Sequence, residues 1–102
     1  KPILILPYAI DTNDMKMWNH PAYTPRDWVA YLNDTLDVLY AEGASAARMM
    51  SLGLHLRIAG RPGRAAALGS FIKQVKSMDG IWVATRAQIM EHWTKTFPPT
   101  NR

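Results

Sequence analysis

Leu52–Arg64 reads LGLHLRIAGRPGR, and the reading of the whole chain turns on it. An apolar run ends at His55. Two glycines, three arginines and a proline then turn the chain, and the residues beyond repeat at helical spacing. Read as a strand, a Gly/Arg loop over Ile58–Gly63 and a helix, the stretch presents His55 at a strand's carboxyl end. That is the edge at which α/β folds bind ligands.

Upstream, Met49–His55 is apolar along its length, the pattern of a strand buried on both faces. Ala44–Arg48 before it is a loop of small residues. Thr24, Pro25 and Asp27 form a helix start with a capping box, and Gly43 supplies the stop. Trp28, Leu32, Leu36 and Leu39, with Val29 and Tyr40, give the intervening helix, at 25–42, an apolar stripe. Further back, KPILILPY at Lys1–Tyr8 contains a second continuous apolar run, Ile3–Leu6. It is followed by a polar loop, Ala9–Asn19, with Asp11 and Asp14.

Downstream, Pro62 suits the first turn of a helix at 62–78, with Leu68, Phe71, Ile72, Val75 and Met78 as its buried stripe. Asp79-Gly80 ends it. Ile81–Ala84 reads as a third strand, and Thr85 with Gln88 opens a last helix whose inner face is Ile89, Met90, Trp93 and Phe97. Pro98-Pro99 stops it, and the tail Thr100–Arg102 reads as loose.

The order is β-loop-α three times, which implies a parallel sheet with right-handed crossovers. The expected fold class is α/β: three consecutive β/α units, with residues 1–102 as one incomplete domain. At about 30 residues each, these units match those of an eight-fold β/α barrel. Three central-type strands alone would leave both sheet edges apolar and unpaired. The chain therefore reads as the C-terminal part of a larger barrel, completed by a missing N-terminal part or by a second copy.

The 102 residues suffice for one small domain. Hydrophobic residues make up 48% and charged residues 20%, as in ordinary globular proteins. No apolar run approaches the roughly 20 residues of a membrane span, and no charged-then-apolar leader is visible. The expected partners do not include a membrane. Cysteine is absent, which removes disulfides, thiolate metal sites and cysteine nucleophiles, and suits the reducing cytoplasm. The net charge is +4, without the long basic face with interleaved aromatics that marks nucleic-acid binding. A local site for a polar or anionic ligand fits better.

His55 is the candidate general acid or base, against a packed histidine held by a backbone hydrogen bond. Asp14 lies at the same sheet end and is its expected partner, since a carboxylate beside an imidazole fixes the tautomer. Asp11 is either a second site carboxylate or a loop cap. Thr12 and Asn13 either bind a polar ligand or shape the turn. Arg57, Arg61 and Arg64 suit a carboxylate, a ureide oxygen or an oxyanion, against salt bridges elsewhere. Arg61 and Arg64 sit near a helix N-terminus, where cations are disfavoured unless compensated. Met15, Met17 and Trp18 either wall a pocket or pack a loop. His20 and His92 are given no role, and no metal-binding spacing is present.

LPYAIDTNDM, LDVLYAEG, MMSLGLHLRIAGRPGRAAAL and IWVATRAQIMEHW together resemble the C-terminal part of the polysaccharide deacetylase (NodB-homology) superfamily. Within it they resemble the metal-independent allantoinase-like branch. The resemblance implies a distorted β/α barrel that hydrolyses C–N bonds in N-acetyl sugars or in a cyclic amide or ureide. It implies Asp14 as the aspartate that orients a histidine, and His55 as that histidine, acting as general acid. Asp11, Asn13, Arg57, Arg61, Arg64, Met15 and Trp18 become candidate substrate contacts. Met15 stands where the deacetylases carry tryptophan. The family's catalytic base and divalent-metal ligands come from N-terminal Asp-Asp and His-x-x-x-His segments that do not occur here. No cofactor is expected in this chain, and the chain alone is expected to be inactive. The alternative is a non-catalytic fragment that self-associates or docks onto the missing half.

Overall fold

The computed structural model describes residues 2–100. It divides into two compact units, Tyr8–Asp79 and the pairing of Lys1–Pro7 with Gly80–Arg102. The larger unit holds three helices: α1 at Pro25–Glu42, a single turn α2 at Leu56–Ala59, and α3 at Pro62–Ser77. A four-residue 3-10 turn, Asp14–Met17, interrupts the loop expected over Ala9–Asn19. The smaller unit holds α4 at Arg86–Thr96.

The helix boundaries follow local chemistry. At the start of α1 the Thr24 hydroxyl accepts from the Asp27 N–H at 3.1 Å, and the Asp27 carboxylate accepts from the Thr24 N–H at 3.1 Å. Two orphan donors are satisfied reciprocally. Thr85 and Gln88 do the same for α4. After α3, Gly80 has φ +81°, a left-handed conformation that glycine takes without a Cβ clash.

Trp28, Leu32 and Leu36 recur every fourth residue on one face of α1 and are buried. Phe71 of α3, Ile58 and Ala59 of α2, and Met17 complete the core of this unit. The apolar stripe read from the sequence is thus right for α1 at Trp28, Leu32 and Leu36, with Val29 and Leu39 half-buried, while Tyr40 is exposed. For α3 it is right at Phe71, while Ile72 is 46% exposed.

The expected α/β architecture is overturned. Among the described residues there is no sheet and no strand ladder. The single β pairing is one parallel bridge between Asn13 and Gly53. Ile3–Leu6, Met49–His55 and Ile81–Ala84 are not strands. The physical reason is that a strand exists through the neighbour that takes its N–H and C=O groups. Apolar patterning cannot supply that neighbour. Ile3, in a run with the pattern of a strand buried on both faces, is 87% exposed, and Val83 of the third expected strand is 73% exposed. The expected inner face of α4 meets the same correction, because no residue of α4 is buried. Its Trp93 and Phe97 rings instead stack on each other at 4.5 Å, and Trp82 meets His92 edge-on at 5.7 Å. The Ile58–Gly63 loop is also shorter than read, because α2 occupies Leu56–Ala59. Of the expected loose tail, Asn101 and Arg102 lie outside the described residues, as does Lys1 at the start of the first apolar run.

The Asn13–Gly53 bridge holds the larger unit's loops together. The Gly53 N–H donates to the Thr12 carbonyl at 3.0 Å, and the Asp14 N–H donates to the Gly53 carbonyl at 2.9 Å. Gly53 is needed for this approach, since a Cβ there would lie 2.3 Å from Asn13 Nδ2. The Asn13 side chain caps the 3-10 turn by accepting from the Met15 N–H at 2.9 Å. Gly53→Ala must therefore swing that amide away and lose the cap. The expected cost is about 1 kcal/mol, on the scale of other lost N-caps. It is read from the denaturant midpoint, with a smaller further loss when Asn13→Ala is added, because the two substitutions remove the same contact.

Candidate active site

Asp14 and His55 meet. The bridge aligns the Asn13–Asp14 and Gly53–His55 segments side by side. Asp14 Oδ2 accepts from the His55 backbone N–H at 2.6 Å, and Asp14 Oδ1 lies 2.7 Å from His55 Nδ1. Asp14 is fully buried, while the His55 side chain is 39% exposed. With the carboxylate accepting at both oxygens, Nδ1 carries the hydrogen and Nε2 faces outward chemistry. The imidazole is set in one orientation and one tautomer. A packed histidine with its ring turned from the carboxylate is not what the structure shows.

The other candidates are distributed around this pair, and not all belong to it. Asp11 is taken by α1: the Tyr31 hydroxyl donates to it at 2.7 Å. That bond, chiefly, holds the Asp11 carboxyl below the usual carboxylate range, and the same carboxylate raises the Tyr31 hydroxyl above its ordinary value. Thr12 is buried and donates to the Ser51 carbonyl, so it serves the fold and is closed to a ligand. Asn13 packs against Gly53 and caps the 3-10 turn. Met15 lines a cavity of about 320 Å³ with Ile10, Lys16, Asn19, His20 and Tyr23. Met17 is buried in the core.

The Arg64 guanidinium sits 5.8 Å from the centre of the Trp18 ring, within cation–π range. Arg57 lies on α2, and Arg61 immediately precedes α3. Among the described residues none of the three arginines makes an ion pair with a carboxylate. The first turn of α3 contains no acidic residue. Cations at this helix start are thus uncompensated by the protein.

Sequence reasoning missed four contributors: Trp28, Tyr31, Ser51 and Gly53. A glycine inside an apolar run was a usable signal for Gly53, since it marks close backbone approach. The Trp28 and Tyr31 contacts join α1 to a loop 15 and 20 residues away, and nothing local encodes them.

The Asp11–Tyr31 bond gives a pH-dependent expectation. Asp11's folded-state value is lowered, so its contribution is present above the ordinary carboxylate range and is lost as pH falls through the depressed value. Tyr31 is raised, so its contribution is present below about pH 10 and is lost as pH climbs through the elevated value. Tyr31→Phe is therefore expected to lower stability most at neutral pH and least at both extremes. Denaturation midpoints measured from pH 2 to pH 11 check this.

Among the described residues no three His, Asp or Glu side chains gather to hold a metal ion. No described helix is long and apolar enough to cross a membrane.

Asp14 and His55, the pair that the family resemblance singles out, are in contact. No family model matches the chain. A Schizosaccharomyces pombe protein named "Putative polysaccharide deacetylase" is 43% identical over 100 residues, 96% of this chain and 31% of that protein. Two solved structures superpose with a TM-score of 0.90 over 93% of this chain, each being covered to 32%. One is the Puue allantoinase, 47% identical. The other is a "probable Polysaccharide deacetylase" from Pseudomonas aeruginosa PAO1, 44% identical. The chain is thus related to polysaccharide deacetylase- and allantoinase-type proteins, and it spans about a third of the length of those it matches.

Proposed function

We propose that this chain supplies the general acid, and the carboxylate that orients it, to a hydrolase of non-peptide C–N bonds. The observation that carries this reading is the two-point grip of Asp14 on His55. In the proposed reaction, water attacks an amide or cyclic-amide carbonyl and the C–N bond breaks. A base takes the proton of the attacking water. His55, entering with hydrogens on both ring nitrogens, gives the Nε2 proton to the departing nitrogen and ends as the Nδ1–H tautomer that Asp14 holds. Arg57 or Arg61 stabilises the negative charge on the carbonyl oxygen or binds the substrate. Arg64, stacked on Trp18, and Met15 extend the substrate wall.

We assign the base that activates water to the length of the relatives that this chain does not span. The substrate class is a small polar amide or ureide, with an N-acetyl sugar as the competing choice. Incubating the complete protein with allantoin and, separately, with an N-acetylglucosamine oligomer tests this. Ring opening or acetate release supports it, and neither reaction with a folded protein overturns it.

A second reading has its own observation. Ile3, Ile5, Trp82 and Val83 are all more than half exposed. Such side chains call for cover, either by the remainder of a longer protein or by a second copy. Size-exclusion chromatography of the isolated chain decides it. A monodisperse 11.5 kDa monomer removes this reading.

A further inference from the structure

The Asn13–Asp14 peptide group is clamped at both ends of its dipole. Its N–H donates to the Gly53 carbonyl at 2.9 Å. Its carbonyl accepts the Lys16 N–H at 3.2 Å, from within the turn, and the Trp28 indole Nε1–H at 3.2 Å, from α1. Trp28 is fully buried, so its indole donor has no water to turn to. It touches neither His55 nor Asp14 in the hydrogen-bond network. It holds the rigid plane from which the Asp14 side chain departs.

We propose that Trp28 is a positioning residue for the Asp14–His55 pair, acting through the Asn13 carbonyl. Losing this donor frees the peptide plane to tilt, and the tilt is passed to the carboxylate that sets the imidazole. Misplacing a reacting group by about 1 Å costs up to roughly a hundredfold in rate. The kinetic consequence rests on the function proposed above. The structural consequence does not.

Trp28→Phe in the complete protein keeps an aromatic ring in the core and removes the N–H. The expected result is unchanged KM for the amide substrate and kcat lowered by about tenfold to a hundredfold. In proton NMR, the His55 Nδ1–H resonance is expected to move upfield and exchange faster with solvent. A loss of packing alone would not produce this combination in a folded protein. Incorporating 3-benzothienylalanine at position 28 replaces the N–H by sulfur at nearly constant shape, and it decides the matter if the phenylalanine variant fails to fold. A folded variant with the wild-type His55 resonance and wild-type kcat overturns the proposal. Wild-type turnover in His55→Ala would instead overturn the proposed function, and the resonance would still report on Trp28.

Discussion

Alanine at position 55 is expected to lower kcat of the complete protein by about 10²- to 10⁴-fold, the range that a positioned acid or base contributes. The imidazole is the side chain here whose outward nitrogen is free while its inner nitrogen is held at 2.7 Å by Asp14. Removing it takes away the proton that the leaving nitrogen needs. Folding should suffer less, because the His55 backbone N–H keeps its 2.6 Å bond to Asp14 Oδ2 in the variant. Circular dichroism and a denaturant midpoint check the fold, and steady-state kinetics check the loss. Wild-type kcat would remove His55 from the mechanism.

Asp14→Asn is the second large effect, and its cause is a count of donors. The two groups facing Asp14 are both donors, the His55 backbone N–H and the His55 ring Nδ1–H. A carboxylate accepts at both oxygens, whereas an asparagine amide accepts at one and donates at the other. If the amide NH₂ faces the ring, Nδ1 must accept, the imidazole switches to the Nε2–H tautomer, and the doubly protonated ring that serves as acid loses its support. If it faces the backbone, two donors oppose each other in a fully buried position. The first outcome is expected to lower kcat by about 10²- to 10⁴-fold, because the acid is held in the wrong form. The second is expected to cost about 1–3 kcal/mol of stability for an unpaired buried donor. Kinetics and a denaturation curve on the same sample distinguish them. A variant with unchanged rate and unchanged midpoint would show that the carboxylate does not govern the ring.

Much of the local structure was legible from particular residues. Thr24, Pro25 and Asp27 specify the start of α1 because a cap is chemistry between residues three apart. Trp28, Leu32 and Leu36 specify its buried face because helical geometry brings every fourth residue to one side. Asp14 and His55 could be paired in advance through the family resemblance, and the structure brings them into contact. The strands could not be read correctly. Ile3–Leu6 and Ile81–Ala84 have the composition of buried strands, yet they take no ladder partner among the described residues. Apolar composition says that a segment needs cover and is silent on what covers it.

By itself, the sequence determined α1, α3 and α4, the capping boxes of α1 and α4, and the residue types of the candidate site. These depend on interactions within a few residues along the chain. Tertiary structure alone decided which side chains face one another. It turned Asp11 to Tyr31 and gave Asp14 two donors. It spent Thr12 on Ser51 and set Trp28 behind the Asn13 carbonyl. Each of these contacts joins residues 15 or more positions apart, and no local pattern encodes the distance at which such groups meet.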